Sequence, residues 1–280
     1  MERTQVAFSL TLRSVPLVAL TLVTAAHAVS AQRPAGEDLA LGLCPNVVRI
    51  VAHVVANAAP QTGFGFVVGE ASHQLYIVTA DHVVRGEGPD EADKTPTVIF
   101  FQDQDKEVRG ELLGKRLPRQ QGDLAVVRVQ TPADFSWRPD AMALVPPDRG
   151  TNVWFVGKTG EWYVPTVAGA VNEVLPSGTI RMDALPVSPG TSGAPLISPN
   201  GIVGMVVIDK GFLSSEATPL DLIHRAITSW NYPWQLVPAD STARVSSNTP
   251  KTSSAERPIV VWRVGSPYTG DHSCPKQQLL

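Results

Sequence analysis

The feature that most constrains the fold of this chain is a succession of short apolar runs between Val47 and Ile208, interrupted by Gly, Pro, Asn and Asp. Such runs, with little helical periodicity, are typical of strands in an all-β barrel or sandwich. We predict two sets of strands, with the turn-rich residues 131–150 as the crossing between two barrels. The first set comprises Val47–Val55, Gly63–Val68, Leu75–Thr79, Thr97–Phe101, Val108–Leu113 and Leu124–Val129, and the second comprises Asn152–Gly157, Val164–Val174, Thr179–Met182, Ala194–Ile197 and Ile202–Ile208.

One helix is indicated after the second set of strands. Thr218 is placed to cap it, Pro219 suits its first turn, and Asp221 favours the positive end of the helix dipole. We expect the apolar face of this helix to lie against the second barrel, and that face consists of Leu220, Ile223, Ile227 and Trp230.

The composition then shifts to Ser, Thr, Ala, Asn and Pro, which cannot bury enough apolar area to order a segment. We therefore predict three regions after the N-terminal segment. Residues 44–235 form the folded domain, 236–258 a flexible linker, and 259–280 a tail of unknown role.

Residues 1–31 have the order of a secretory signal peptide. Arg3 and Arg13 precede an apolar run, and small residues follow it. The apolar run is shorter than the roughly 20 residues that span a bilayer, which disfavours the alternative of an uncleaved anchor. We expect cleavage after Ala28 or Ala31, export to the periplasm or the medium, and no stable membrane insertion of the mature chain.

The charge balance and the cysteines limit the possible partners. The chain has 23 Lys and Arg against 26 Asp and Glu, a formal net charge of −3, and it has no basic run that would indicate nucleic acid. Cys44 and Cys274 are able to form a disulfide after export, but the sequence leaves open whether they do. Two cysteines are too few for a zinc site, and no second ligand pair lies near His272, so we predict no metal.

Three polar residues predict acyl-transfer chemistry. Ser192 lies between glycines after a tight turn, and a seryl hydroxyl needs an imidazole to take its proton and a carboxylate to orient that imidazole. His82 comes just past an apolar strand, and Asp123 opens another. Each alone has a plain structural interpretation, a hydrogen-bonded histidine or a turn-capping aspartate. Their order, His then Asp then Ser, favours the catalytic interpretation.

Gly190 is predicted to let two backbone amides converge on the reacting carbonyl group. Glycine adopts the unusual backbone angles that aim an N–H inward, so the amides of Gly190 and Ser192 are expected to form an oxyanion hole. The alternative is a simple Pro-Gly turn between two strands.

The segments Thr79–His82, Gly122–Ala125 and Gly190–Pro195 resemble the three signature blocks of trypsin-like serine peptidases with the chymotrypsin fold, most closely those of the exported bacterial branch. The resemblance covers about residues 47–230. It implies an all-β fold of two antiparallel six-stranded β-barrels with a C-terminal helix, and an active site in the cleft between the barrels.

By this resemblance, His82 is the general base, Asp123 orients it, and Ser192 is the nucleophile that forms an acyl-enzyme intermediate. No metal or organic cofactor is required, the substrate is a protein or peptide, and the oligomeric state is not implied.

Pro186 stands where trypsin has its selecting carboxylate, so we expect a preference for aliphatic or small side chains before the cut. The residues expected to line that pocket are Pro186, Val206, Val207 and Ile208.

Two residues depart from the family pattern. Thr191 stands where most relatives have Asp or Asn before the nucleophile, and Ala194 stands where they have Gly. In trypsin-like zymogens that Asp pairs with a newly cut N-terminal amine, and Thr191 has no charge for such a pair. We therefore predict a secreted or periplasmic serine endopeptidase that needs no activating cleavage. The rival prediction is a catalytically inactive protein of this fold that binds peptides or acts as a scaffold.

Overall fold

The computed structural model leaves several segments undescribed, among them the predicted signal peptide over residues 1–31 and nearly all of the predicted linker and tail. None of the described helices is both long enough and apolar enough to cross a membrane. The described residues are 35–54, 59–86, 92–211, 214–239 and Cys274, with the backbone alone described for 208–211.

Short strands dominate the described chain, as the sequence predicts. The described residues form three α-helices, α1 (Ala35–Gly42), α2 (Asp81–Arg85) and α3 (Leu220–Ser229). The strands are β1 (Val47–Ala52), β2 (Gln61–Ala71), β3 (Gln74–Thr79), β4 (Thr97–Phe100), β5 (Asp103–Arg109), β6 (Glu111–Leu117), β7 (Leu124–Gln130), β8 (Asp140–Met142), β9 (Asn152–Phe155), β10 (Gly169–Val174), β11 (Ile180–Asp183), β12 (Pro195–Ser198), β13 (Gly201–Gly211), β14 (Ser214–Pro219) and β15 (Val237–Pro238).

The second half of the domain is a closed six-stranded barrel. Its strands follow the order β12-β9-β10-β11-β14-β13, and antiparallel pairing between β12 and β13 closes the ring. Two short strands, β8 and β15, extend the sheet beyond β13 through parallel pairing. This half agrees with the predicted six-stranded barrel.

The first half is a sheet of seven antiparallel strands in the order β5-β4-β1-β2-β3-β7-β6. The predicted strand Val108–Leu113 is two strands, β5 and β6, separated by Gly110. The two lie at opposite ends of the sheet, with no ladder between them in the described part of the chain. The reason for the difference is that β5 is mostly exposed and charged, so it lacks the apolar alternation by which strands are recognised.

Two further strands differ from the prediction, because pairing with neighbouring strands and not the local apolar pattern determines them. The strand predicted over Val164–Val174 begins only at Gly169, because Pro165 has no N–H for a ladder. The strand β14, with the sequence Ser-Ser-Glu-Ala-Thr-Pro, was not predicted, yet it pairs with both β11 and β13. The apolar side chains of both halves form one contiguous core.

The C-terminal helix forms as predicted, but its cap differs. Pro219 occupies the N-cap position, and none of the described side chains caps the helix. The prediction that Thr218 caps it is wrong, because the Thr218 hydroxyl donates instead to the carbonyl of Gly122. The buried face comprises Leu220, Ile223, Ala226 and Ile227, and it packs against β13 and β14 of the barrel.

Cys44 and Cys274 form a disulfide, with their Cα atoms 6.5 Å apart. Both cysteines are buried, and the amide of Cys274 donates to the carbonyl of Trp162 over 2.8 Å. The two cysteines, whose pairing the sequence left open, are therefore bonded to each other. Ordered structure extends beyond the predicted bounds of 44–235, because α1 precedes residue 44 and β15 follows residue 235.

Candidate active site

His82 lies in the first turn of α2, immediately after β3. No side chain of the helix itself caps its start, and Asp123, next to β7, supplies the acceptors instead. The Asp81 amide donates to the Asp123 carbonyl over 3.1 Å, and the His82 amide donates to Asp123 Oδ1 over 3.0 Å. Because the first amides of a helix have no partner within it, these bonds fix α2 to the residue that it must face.

The side chains of His82 and Asp123 are also hydrogen-bonded, with 2.6 Å between His82 Nδ1 and Asp123 Oδ2. Asp123 is buried and its φ is +50°, a left-handed conformation in which Asp is among the more tolerated residues. An ionised carboxylate accepts hydrogen bonds and cannot donate them, so Nδ1 carries the proton and Nε2 presents its lone pair. The imidazole is thereby held in the tautomer that a general base needs.

A second carboxylate, that of Asp81, also holds α2 in place. Asp81 pairs with Arg85, with 2.9 Å between Asp81 Oδ1 and Arg85 Nε, and with Arg116 of β6, with 3.1 Å between Asp81 Oδ2 and Arg116 Nη1. Burial raises the pKa of the Asp81 carboxyl above its usual 3.8, and the two guanidinium groups offset only part of that effect. The pair with Arg116 ties α2 to the sheet.

Ser192 follows a tight turn between β11 and β12. The Thr191 amide donates to the Ser188 carbonyl over 3.0 Å, and Gly190 has a φ of +86°. A positive φ at the third residue of a four-residue turn is the mark of a type II turn, which reverses the central peptide relative to type I. The amide of Gly190 is aimed by this reversal.

The backbone amides around Ser192 differ in whether they donate a hydrogen bond to a backbone carbonyl. Those of Thr191, Gly193 and Ala194 each donate to a backbone carbonyl. Within the described chain, the amides of Gly190 and Ser192 donate to none. These are the two donors that the sequence predicts for an oxyanion hole.

The turn that carries Ser192 is docked against the first sheet. The Phe64 amide of β2 donates to the Ser192 carbonyl over 2.8 Å. A Cβ atom on Gly193 would overlap the Phe64 carbonyl oxygen, which also accepts a bond of 2.6 Å from the Thr79 hydroxyl. These contacts hold the turn of the barrel that carries Ser192 against strand β2 of the sheet.

His82 and Ser192 line one cleft of about 640 Å³. A second cavity of about 240 Å³ is lined by Asp123 and Val207, among others. The Ser192 hydroxyl lies 3.5 Å from the Val207 carbonyl oxygen, so Ser192 lies next to a residue of the second cavity. The three candidate catalytic residues are thus brought together by the fold.

The residues predicted for the substrate pocket have different locations. Val207 lines the second cavity, whereas Pro186 and Val206 line neither cavity. Val206 is fully buried behind the turn, where its amide donates to the Ala194 carbonyl over 2.9 Å. The side chain of Ile208 lies outside the described residues.

Sequence reasoning missed several residues that line the cleft together with His82 and Ser192. Arg49 of β1, Thr62 of β2 and Gly160 of a turn near β9 all line it, although they are far apart in the sequence. No local motif marks these residues, because their only shared property is their position after folding. Arg49 carries the one guanidinium group among the described lining residues.

A β domain with a hydrogen-bonded His-Asp pair, and with a serine in the same cleft as the histidine, has the arrangement expected of a serine peptidase. Residues 63–205, just over half of the chain, match the family described as the trypsin-like peptidase domain. The chain belongs to this family. The match includes all three candidate catalytic residues, and a comparison with curated protein sequences finds no match.

Solved structures of proteases share the fold at low identity. The serine endoprotease from Yersinia pestis aligns with a TM-score of 0.54 and 18% identity, over 71% of this chain and 67% of its own. An inactive form of the Rv3671c protease gives 0.50 and 19%, over 69% and 92%. A serine-to-alanine mutant of Rv3671c from M. tuberculosis H37Rv, also inactive, gives 0.52 and 19%, over 70% and 93%. The predicted chymotrypsin-like fold class is confirmed.

Proposed function

We propose that this chain is an exported serine endopeptidase that cleaves protein or peptide substrates through Ser192, His82 and Asp123. The observation that carries the proposal is the pair of hydrogen bonds from His82 to Asp123, made by a histidine that shares its cleft with Ser192. A structural histidine has no need for a buried carboxylate behind it and a serine in front of it. The fold belongs to a peptidase family, and the site has the groups that the reaction requires.

In the proposed reaction, Ser192 Oγ attacks the scissile carbonyl carbon while His82 Nε2 takes the hydroxyl proton. Asp123 stabilises the imidazolium that forms, and the carbonyl oxygen gains its negative charge next to the amides of Gly190 and Ser192. His82 then gives the proton to the leaving amine, which leaves an acyl group on Ser192. A water molecule, deprotonated by His82, releases the acyl group and restores the hydroxyl.

The environment of Thr191 supports activity without an activating cleavage. Thr191 is fully buried, and its hydroxyl lies 3.4 Å from the Ser188 amide within the turn. The turn is therefore closed by its own backbone and a neutral side chain, and it has the positive φ at Gly190 without any ionic partner at residue 191. A chain that stays inert until it is trimmed to a new N-terminus would contradict this part of the proposal.

The proposed preference before the cut remains for aliphatic or small side chains. Pro186 offers no carboxylate, and Val207 is the residue of the predicted pocket that lines a cavity beside Ser192. A profile from a peptide library that is dominated by Arg or Lys would refute this preference.

The direct test is labelling with a fluorophosphonate probe, followed by mass spectrometry to locate the adduct. We expect an adduct on Ser192 that is lost in Ser192→Ala and in His82→Ala. Ser188→Ala is the matched control, because it removes a hydroxyl from the same turn and keeps the backbone carbonyl that accepts from Thr191. An unlabelled but folded protein would favour the rival, a peptide-binding protein without catalysis.

Export is tested separately from catalysis. The full-length gene should yield a mature protein outside the cytoplasm whose N-terminal sequence begins after Ala28 or Ala31. An intact N-terminus on a cytoplasmic protein would overturn the proposed location and leave the peptidase activity to its own test.

A further inference from the structure

We infer that Arg49 forms an anion-binding subsite in the catalytic cleft, and that the preferred substrates carry Asp or Glu at the first or second residue after the scissile bond. The inference rests on the proposed function, because it assigns a substrate class to the same cleft. Arg49 lies on β1, remote in sequence from the three motif segments.

Among the residues that the structure describes, no carboxylate pairs with the guanidinium group of Arg49. Arg49 is partly buried, its Nη1 donates to the Gly160 carbonyl over 2.8 Å, and its Nε is buried without an acceptor. No described carboxylate forms an ion pair with it, including Glu161, which follows Gly160. A guanidinium with a buried N–H that has no acceptor, and with no described counter-ion, gains a partner when an anion enters the cleft, so an anion there would be bound favourably.

The position of this charge is fixed by a rigid base. Arg49 Cζ lies 5.7 Å from the centre of the Trp162 ring, a cation-π arrangement. Trp162 is itself buried, its Nε1 donates to the Val47 carbonyl over 2.9 Å, and its ring packs against Phe64 and Phe101. The guanidinium therefore has little freedom to move away, and less ordering is needed when a ligand binds.

The charge lies on the leaving-group side of the nucleophile. The described lining of the cleft includes His82, Ser192 and Arg49 but no Asp or Glu. Val207, which we assign to the pocket for the residue before the cut, lines the other cavity. A substrate that extends from Val207 past Ser192 therefore places the residues after the cut in the cleft with Arg49. An Arg-carboxylate pair has the fork geometry for a charge-assisted hydrogen bond.

Cleavage of matched peptides tests the subsite. Two quenched-fluorescent libraries, degenerate elsewhere, carry either Glu or its neutral isostere Gln at the first two positions after the scissile bond. We expect kcat/KM to favour the Glu library by about tenfold, as for a charge-assisted hydrogen bond at a partly exposed site, and the ratio to fall with added salt. In Arg49→Met, which keeps an unbranched apolar stem over Trp162, the ratio should approach one.

Lys158→Met is the matched control. Lys158 lies in the same turn region, with its Nζ 5.2 Å from the centre of the Tyr163 ring, but it does not line the cleft. Its removal should leave the Glu-to-Gln ratio at the wild-type value. An equal ratio in the wild type and Arg49→Met would overturn the subsite.

Binding separates this inference from the question of catalysis. With Ser192→Ala and Ser192→Ala/Arg49→Met, fluorescence anisotropy should show tighter binding of the Glu library only when Arg49 is present. If the wild type cleaves neither library, the proposed function fails and the binding ratio alone decides on Arg49. Equal binding of both libraries, or binding of neither, overturns the subsite.

Discussion

Two glycines beside Ser192 have the same backbone angle and different constraints. Gly190 and Gly193 both have a φ of +86°. A Cβ on Gly190 would have ordinary van der Waals contacts with Thr159, whereas a Cβ on Gly193 would overlap the carbonyl oxygen of Phe64. Gly190 is required only because its φ is positive. Gly193 is required both because its φ is positive and because no Cβ atom fits beside Phe64.

We expect Gly190→Ala to lower kcat by about 10²–10³-fold, because the turn relaxes toward a negative φ and one oxyanion donor turns away. The conformational strain itself should cost only about 1–2 kcal/mol of the free energy of unfolding. Peptidase assays combined with urea unfolding measure the two effects.

Gly193→Ala is the companion variant, and it should reduce the free energy of unfolding by more than about 3 kcal/mol, since backbone rather than a flexible side chain must move. A Gly190→Ala protein with wild-type kcat would show that its amide does not serve the oxyanion.

At the scale of elements, the short helix α2 depends on hydrogen bonds and an ion pair with residues outside the helix. Asp123 accepts its first amides, and Asp81 connects it to Arg116 on β6. Five residues are too few for a helix to be stable alone, so these tertiary contacts are what hold His82 in place.

The raised pKa of Asp81 predicts a distinctive pH dependence. Well below pH 3.8, the usual pKa of the group, the Asp81 carboxyl is protonated in the folded and the unfolded chain alike. As the pH rises, the unfolded chain releases its proton first, so the charge makes the folded state relatively less stable until the pH passes the folded-state pKa. The free energy of unfolding of the wild type minus that of Asp81→Asn should therefore fall above pH 3.8 and then become constant.

Urea unfolding of the two proteins at a series of pH values measures this difference, and other titrating groups largely cancel in the subtraction. A difference that grows with pH would show that the pairs with Arg85 and Arg116 outweigh the burial of the carboxylate.

The N-terminal helix α1 provides a further prediction at this scale. It precedes the predicted domain, and it packs against β9 with Gly36 facing the ring of Trp154. A Cβ at Gly36 would overlap that buried ring, so Gly36→Ala should reduce the free energy of unfolding by about 1–3 kcal/mol despite the better helix propensity of Ala.

Gly42→Ala in the same helix is the matched control. Its Cβ would approach only the end of the Arg138 side chain, at 3.1 Å from Nη1, and that side chain can move. Urea unfolding should show an unchanged or slightly raised stability. Equal losses at the two positions would mean that α1 does not pack as described.

At the scale of the whole molecule, the disulfide joins residues that are 230 positions apart. It closes a loop that contains nearly all of the folded domain, and a disulfide restricts the unfolded chain more when the loop is longer. The double variant Cys44→Ser/Cys274→Ser should lose about 2–5 kcal/mol in the free energy of unfolding.

Reductant added to the wild type should produce a similar loss, and it should have no effect on the double variant. A wild type that is equally stable with and without reductant would contradict a stabilising role for this bond.

The sequence determined the features that depend on local patterns. Short apolar runs indicated the all-β class, the spacing of apolar residues indicated α3, and three motif segments indicated His82, Asp123 and Ser192 as candidates in their correct order. Each of these signals lies within a few consecutive residues, so one sequence is enough to recognise it.

Only the tertiary structure decided the features that depend on contacts between distant segments. Asp123 capping α2, the pairing of Cys44 with Cys274, and Arg49 lining the same cleft as Ser192 all join residues from different elements. The polar strand β14 likewise exists because two neighbours pair with it. Burial and hydrogen-bond geometry arise when the chain closes on itself, and local sequence patterns carry no information about which distant groups will then meet.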